Sequence, residues 1–288
     1  MKIEIVYFSG TGNTWWVVDK LKSALEKRGH EVKMIAYESK ERNTVPTKDA
    51  ELFGIAFPTH AHGAPINMES YANGINAKKG LRFFVLTTYW LHTGPTAMNY
   101  ANILKRRGME PVLAAGVKMP LNIYLPLFPF DKWTPTKPKN IPKIKERALK
   151  RIEIIANALH KGTKILEKGN SLANFLLGNK LEPIFFRRSV ITQVNKNKLL
   201  KVSSSCIGCG ECVNLCPVQN IKMTDEGIQF DGKCILCARC WTFCPKNAIV
   251  LGNIPLTPDK CYTGVDESYR KKMKRLTAEL TEQVEEGK

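Results

Sequence analysis

Long apolar runs and, over most of its length, cysteine are what this sequence lacks. No stretch approaches the ~18 consecutive apolar residues of a membrane span, although the hydrophobic content of 43% is ordinary for a globular chain. The first residues, KIEIVYF, already read as a strand, so no signal peptide is visible and the cytoplasm is the expected location. The 288 residues suffice for one large or two medium domains. Cysteine is absent up to Ser205; eight of the nine then crowd into residues 206–244, and the ninth is Cys261. A disulfide framework belongs to small secreted domains. A chain of this length without a leader is neither, so the cysteines point to metal.

Acidic residues are scarce as well, 26 against 44 basic, for a net charge of +18. Residues 1–118 carry +6 (16 basic, 10 acidic), 119–199 carry +11 (16 and 5), 200–255 carry +1 (5 and 4) and 256–288 carry 0 (7 and 7). The excess therefore sits mainly in the middle of the chain. Such a field attracts an acidic protein, an anionic membrane surface or nucleic acid, or is simply a solvated basic face. No nucleic-acid module accompanies it, so no nucleic-acid partner is expected.

Residues 1–118 alternate strand and helix signals. The predicted strands are Lys2–Phe8, Glu31–Tyr37, Leu52–Phe57, Arg82–Thr88 and Pro111–Val117, with helical patterns at Thr14–Arg28 and Pro95–Arg107. This alternation argues for a parallel sheet covered on both faces. Residues 119–140 are rich in proline and aromatics and suit a structured loop. Residues 141–160 carry Ile144, Ala148, Ile152, Ile155 and Leu159 at helical spacing, a helix expected to close the first domain. The apolar stretch 171–188 is expected to dock domains together, with peripheral membrane contact as the other use, because Pro183 interrupts any long amphipathic helix. The expected divisions are 1–165, a connecting segment 166–199, a cysteine domain 200–255 and a helical tail 256–288.

The cysteine region is an internal repeat. CIGCGECVNLCPVQNI starts at Cys206 and CILCARCWTFCPKNAI at Cys234, 28 residues later, with every cysteine and the closing proline in register. Each copy has the spacing C-x2-C-x2-C-x3-C-P, in which three thiolates hold one [4Fe–4S] cluster and the fourth holds the other. Cluster 1 would take Cys206, Cys209, Cys212 and Cys244; cluster 2 would take Cys234, Cys237, Cys240 and Cys216. Pro217 and Pro245 turn the chain after each shared ligand, and Gly208 and Gly210 let backbone amides approach the sulfurs. Zinc favours paired C-x2-C units in tetrahedral sites, a poor match to this doubled register. The region Leu200–Gly252 resembles the bacterial ferredoxins with two [4Fe–4S] clusters, which implies one-electron transfer at low potential.

The turn FSGTGNTWW, Phe8–Trp16, joins the first strand to the first helix and reads as an anion site. The dinucleotide fingerprint fails because Trp15 stands at its third glycine. The Walker pattern fails because no Gly-Lys-Ser/Thr follows. A phosphate monoester held by hydroxyls and amides, without a lysine, remains. The turn resembles the phosphate loop of flavodoxins. That resemblance implies an α/β, flavodoxin-like, doubly wound parallel five-stranded sheet of order 2-1-3-4-5, followed here by a small α+β ferredoxin domain. It implies FMN as cofactor, its phosphate on Ser9, Gly10, Thr11, Gly12, Asn13 and Thr14. The ring would lie between the loop Pro58, Thr59, His60, Ala61, His62 and Gly63 and the loop Thr88, Tyr89, Trp90 and Gly94, with Tyr89 or Trp90 stacking and Asn122 adding a polar contact. His60, His62 and His92 are expected to face the flavin or solvent rather than a metal. Trp16 points away from the sheet and is expected to be covered by the middle segment, the cysteine domain or a partner.

Together the chain resembles the fused flavodoxin–ferredoxin proteins of anaerobic bacteria and archaea. The resemblance implies an electron-transfer iron–sulfur flavoprotein linking two [4Fe–4S] clusters, FMN and a redox partner protein, such as an acidic ferredoxin or a larger reductase. The alternative is a flavin-dependent reductase of a small substrate, a quinone or an enoyl compound, with residues 119–134 shaping its pocket.

Overall fold

The computed structural model describes residues 1–60, 63–76, 78–91, 93–121, 136–169, 182–256, 269, 271 and 273. Two compact units emerge. The first comprises Met1–Ser9, Asn13–Met119 and Pro142–Phe186; the second comprises Gly10–Gly12, Pro120–Ile141 and Arg187–Lys288.

The first unit is built on a parallel sheet. Its strands are β1 (Lys2–Tyr7), β2 (Glu31–Ala36), β3 (Leu52–Pro58), β4 (Arg82–Tyr89), β5 (Glu110–Lys118) and β6 (Ile165–Leu166), in the order β2-β1-β3-β4-β5-β6. The five expected strands hold the expected order, and each starts and ends within one residue of its predicted bounds. The sheet has six strands rather than five. After helix α4 (Ile141–Lys161) the chain returns to add β6, which pairs Leu113 with Ile165 and Ala114 with Leu166. Two residues are too few for a strand pattern to show in sequence.

β1, β3, β4 and β5 are buried almost without a break, as strands covered on both faces must be. Helix α1 (Asn13–Glu26) lies beside α4, where Arg28 reaches Glu153 at 2.7 Å and Asn157 at 2.9 Å. Helix α2 (Ile66–Gly74) lies beside α3 (Thr96–Arg106), where the buried Tyr100 hydroxyl donates to the Met68 carbonyl at 2.7 Å. The buried face of α1 is Thr14, Val17, Val18, Leu21, Ala24 and Leu25. Trp16 is off that face and half-buried, with the Lys145 ammonium of α4 5.3 Å from its ring centre.

Mid-sheet, Gly54 of β3 pairs with Phe84 of β4, and the Phe84 ring lies over it. A Cβ at Gly54 would come within 2.2 Å of that ring, which is fully buried. Gly54→Val is therefore expected to destabilise the first unit by about 1–3 kcal/mol. A lowered urea midpoint with unchanged slope checks this; an unchanged midpoint contradicts it.

The second unit is α+β and small. β7 (Leu200–Val202), β10 (Ile249–Leu251) and β11 (Ile254–Pro255) form one antiparallel sheet, and β8 (Ile221–Thr224) and β9 (Gly227–Phe230) form a hairpin. Its core gathers Val194, Leu200, Ile221, Trp241, Ile249 and Leu256 around Cys216 and Cys240. A helix spans Glu182–Lys196. Pro183 is the second residue of this helix, a first-turn position where proline gives up an amide that has no helical partner; residues 170–181 lie outside the described residues. In the expected loop after β5, Thr136 donates its amide to the Leu121 carbonyl and accepts the Leu121 amide on its hydroxyl, both at 2.9 Å. Asn122, the rest of 122–135, Cys261 and most of the tail lie outside the described residues. Tyr269 and Met273, within the tail, are helical and buried.

Candidate functional site

Two sets of side chains carry chemistry. In the first unit the carboxyl ends of β1, β3 and β4 bring hydroxyls together. β1 runs into the Phe8–Gly12 turn, and α1 begins at Asn13, so the helix N-terminus opens directly onto it. Ser9, Thr11 and Thr14 are buried. The Thr14 hydroxyl meets that of Thr88, at the end of β4, at 2.9 Å. Thr93 joins Thr87 at 2.9 Å and Thr59, just beyond β3, at 3.4 Å. The expected turn and the expected β4 loop are thus linked through side chains. His60 and Gly63 exchange backbone hydrogen bonds at 2.9 and 3.0 Å, pinching the loop after β3 into a tight turn. Its tip, Ala61 and His62, lies outside the described residues, as does His92.

Tyr89 is half-buried, and its ring lies against Gly116 of β5, where a Cβ would sit 2.8 Å from it. Burial raises its phenol, as does Glu167 nearby, while Arg151 opposes. Glu167 in turn is paired with Arg151 and accepts the Gly116 amide at 2.9 Å. Trp90, also half-buried, follows directly. Gly94 lies against Gly169, where a Cβ would meet the Gly94 carbonyl at 2.5 Å. A turn of small buried hydroxyls at a helix N-terminus, with no lysine in it, suits a phosphate monoester. This donor set fits FMN.

The second unit carries the cysteines, and the sequence repeat is also a backbone repeat. Gly208 and Leu236, Gly210 and Ala238, and Gln219 and Asn247 are three pairs 28 residues apart, all with positive φ between 49° and 71°. Leu236, Ala238, Gln219 and Asn247 hold this left-handed conformation at a cost of roughly 1–2 kcal/mol each. Such strain persists where the surroundings dictate it. The repeat extends to the sulfurs: Cys216 Sγ accepts the Asn220 amide at 3.1 Å, and Cys244 Sγ accepts the Ala248 amide at 3.2 Å. Cys234 Sγ accepts the Leu236 amide at 3.3 Å.

The fold brings the fourth cysteine of the first run to three of the second. One cavity is lined by Cys216 together with Cys234, Cys237 and Cys240. Burial raises the Cys240 thiol well above its usual value, and the thiols that add to this most are Cys234, Cys237 and Cys216. Burial likewise pushes Cys234 up to about 12, with Cys237 and Cys216 adding. On the other side Cys212 is pushed up to about 11, by burial first and then by Cys244 and Cys206 after its amide hydrogen bonds have pulled against it. Cys209 is exposed, and Cys216 and Cys240 are buried. Binding a metal would deprotonate these thiols, so uptake would release protons. Soft sulfur ligands, converging amides and a four-cysteine cavity fit an iron–sulfur cluster.

Three polar residues that sequence reasoning missed brace this site. Asn195, on the helix Glu182–Lys196, donates to the Cys234 carbonyl at 3.1 Å and accepts the Cys234 amide at 3.0 Å. Asn220 accepts the Lys233 amide on its side chain. Arg239, one residue before Cys240, is 1% exposed and lines the same cavity. Its guanidinium is among the groups that oppose the upward push of burial on Cys216. Arg239 and Asn220 stand inside the cysteine repeat, where the charge of Arg239 could have drawn notice.

A parallel sheet of this order is flavodoxin-like, and a unit rich in cysteine follows it in the chain. Residues 205–249 match the family model of the 4Fe-4S dicluster domain. Among solved structures, an archaeal flavodoxin is 18% identical, covering 55% of this chain and 99% of its own, with a TM-score of 0.37. The two-electron reduced flavodoxin of Megasphaera elsdenii is 21% identical, covering 54% and 99%, with a TM-score of 0.37. Oxidised flavodoxin 2 of Bacillus cereus is 20% identical, covering 56% and 99%, with a TM-score of 0.41. No curated protein matches the chain. Among the described residues, no helix is long and apolar enough to cross a membrane.

Proposed function

We propose that this protein is an electron carrier passing low-potential electrons between two [4Fe–4S] clusters, FMN and a partner redox protein. The observation that carries the reading is the cavity lined by one cysteine of the first run and three of the second, in the same chain as a flavodoxin-like sheet. Cys206, Cys209, Cys212 and Cys244 would hold one cluster, and Cys234, Cys237, Cys240 and Cys216 the other. Ser9 to Thr14 would hold the FMN phosphate, with Thr88 fixing Thr14. A flavin takes one or two electrons and a cubane one, so the pair matches donors and acceptors of different electron count. Joining both sites in one polypeptide keeps them at high effective concentration. The net charge of +18 favours an acidic partner, such as a ferredoxin or an acidic face of a larger reductase.

The test is anaerobic purification, analysis for iron and flavin, chemical reduction, and spectroscopy while candidate acceptors are added. About eight irons and one FMN per chain are expected. Reoxidation by an acidic redox protein, weakening as salt rises, supports the carrier. Catalytic turnover of a quinone or enoyl compound would replace it with the reductase reading.

A further inference from the structure

The two cysteine runs are near copies, yet at one position they carry opposite charges. Counting back 28 residues from Arg239 in CILCARC gives Glu211 in CIGCGEC. Both stand immediately before the third cysteine of their run and open the short helices Arg239–Thr242 and Glu211–Leu215. The two sites also differ in exposure. Arg239 is 1% exposed, while Glu211 is half-buried. Cys209 stands in solvent, whereas Cys216 and Cys240 belong to the core.

A buried guanidinium is expensive unless an anion compensates it. Arg239 shares a cavity with Cys216, Cys234, Cys237 and Cys240. It is also held in place: within the second unit, its Nε donates to the Gly10 carbonyl at 3.3 Å. A cluster on four thiolates is an anion and gains one more negative charge when reduced. A fixed cation beside that site favours the reduced state, and a carboxylate next to the third cysteine of the other run, at the equivalent position in sequence, disfavours it there. Desolvation works the other way at the buried site, because it penalises added charge. The charge difference between Arg239 and Glu211 opposes it, and the guanidinium acts in the low dielectric while Glu211 is partly screened.

Resting on the two-cluster reading above, we propose that Arg239 and Glu211 rank the two cluster sites. They place the reduction potential of the Cys216/Cys234/Cys237/Cys240 site above that of the Cys206/Cys209/Cys212/Cys244 site. An electron delivered by a redox partner at the exposed Cys209 side then moves inward. The outer site is oxidised by one electron, the inner site is reduced by one, and no proton moves. The internal asymmetry of this ferredoxin-like unit thus sets the direction of its internal step.

The test is a redox titration of the anaerobic holoprotein followed by electron paramagnetic resonance. In the unsubstituted protein the two midpoints should differ by at least the 59 mV that a tenfold partition of one electron requires. Arg239→Gln should lower the higher midpoint and remove most of that tenfold preference, leaving the lower one in place. Arg239→Lys, which keeps the charge, should retain the order. Glu211→Gln should raise the lower midpoint by a smaller factor. The proposal is overturned if Arg239→Gln keeps about eight irons and moves neither midpoint or only the lower one, or if Arg239→Lys shifts as much as Arg239→Gln. If Arg239→Gln keeps only about four irons, Arg239→Lys decides. Eight irons with the order preserved uphold the role of charge, and loss of iron there too overturns it. An unsubstituted protein that takes up no iron would instead defeat the two-cluster reading itself.

Discussion

Gly10→Ala is expected to lower the stability of the holoprotein by about 1–3 kcal/mol and to reduce its iron content. Gly10 is not in a left-handed conformation, so the case rests on space alone. Within the second unit, a Cβ at Gly10 would lie 2.3 Å from the Cys237 carbonyl oxygen and 3.3 Å from its carbon. Both are backbone atoms, and the Cys237 backbone belongs to a loop held on either side by cavity-lining cysteines, so neither can rotate away as a side-chain tip would. Gly10 is fixed besides by its carbonyl, which accepts from Arg239. A Cβ there displaces the Cys237 backbone and with it one of the four thiols that line the cavity. Gly29→Ala is the control. It has φ +80 and nothing within 4 Å of its Cβ, so torsional strain of roughly 1–2 kcal/mol is its whole effect, without cofactor loss. Thermal denaturation with flavin and iron analysis of both variants checks this. A Gly10→Ala protein with normal iron and an unchanged midpoint would show that the close approach has no consequence.

The contrast between these glycines reflects what a sequence can and cannot display. Strands β1, β3, β4 and β5 were legible because a strand covered on both faces must be a nearly continuous apolar run bounded by turns, and the edge strand β2 because its apolar residues alternate with charged ones. α2 was not, since INMESYANG has no clear apolar stripe and buries the polar Asn67. The helix from Glu182 carries no clear start signal, because Pro183 reads as a breaker unless its place in a first turn is known. At the candidate sites the cysteines were legible because the ligand code is local, three of every four falling within seven residues. The braces were not. Asn195 clamps Cys234 from 39 residues away, and Arg239 reaches Gly10 from 229. Neither separation leaves a periodic trace. The hydroxyl network is intermediate: Thr14 stood in a recognisable turn, but its partner Thr88 is 74 residues on and is placed only by the β3–β4 pairing.

Cluster exchange between the runs makes a larger prediction still, because it fixes which double substitutions are redundant. Cys216 belongs to the first run by sequence and to the second by position, lining the cavity with Cys234, Cys237 and Cys240. If those four hold one cluster, Cys216→Ser and Cys234→Ser each remove the same one, and iron falls from about eight to about four per chain. Their combination then removes nothing further, and iron stays near four. Cys216→Ser with Cys206→Ser strikes both clusters and should leave almost none. A pairing by sequence run predicts the reverse, with Cys216 and Cys206 redundant and Cys216 and Cys234 additive. The readout is a double-mutant cycle in iron content, in which non-additivity reports a shared site. Stability should follow the same order. Cys216 and Cys240 sit in the core with Trp241, Ile221 and Ile249, so loss of the inner cluster should loosen that core, while loss of the outer one acts at the exposed Cys209 side. The Cys216→Ser protein should therefore denature at a lower temperature than the Cys209→Ser protein at equal iron content. Equal midpoints, or redundancy of Cys216 with Cys206, would assign the clusters by run and remove the exchange.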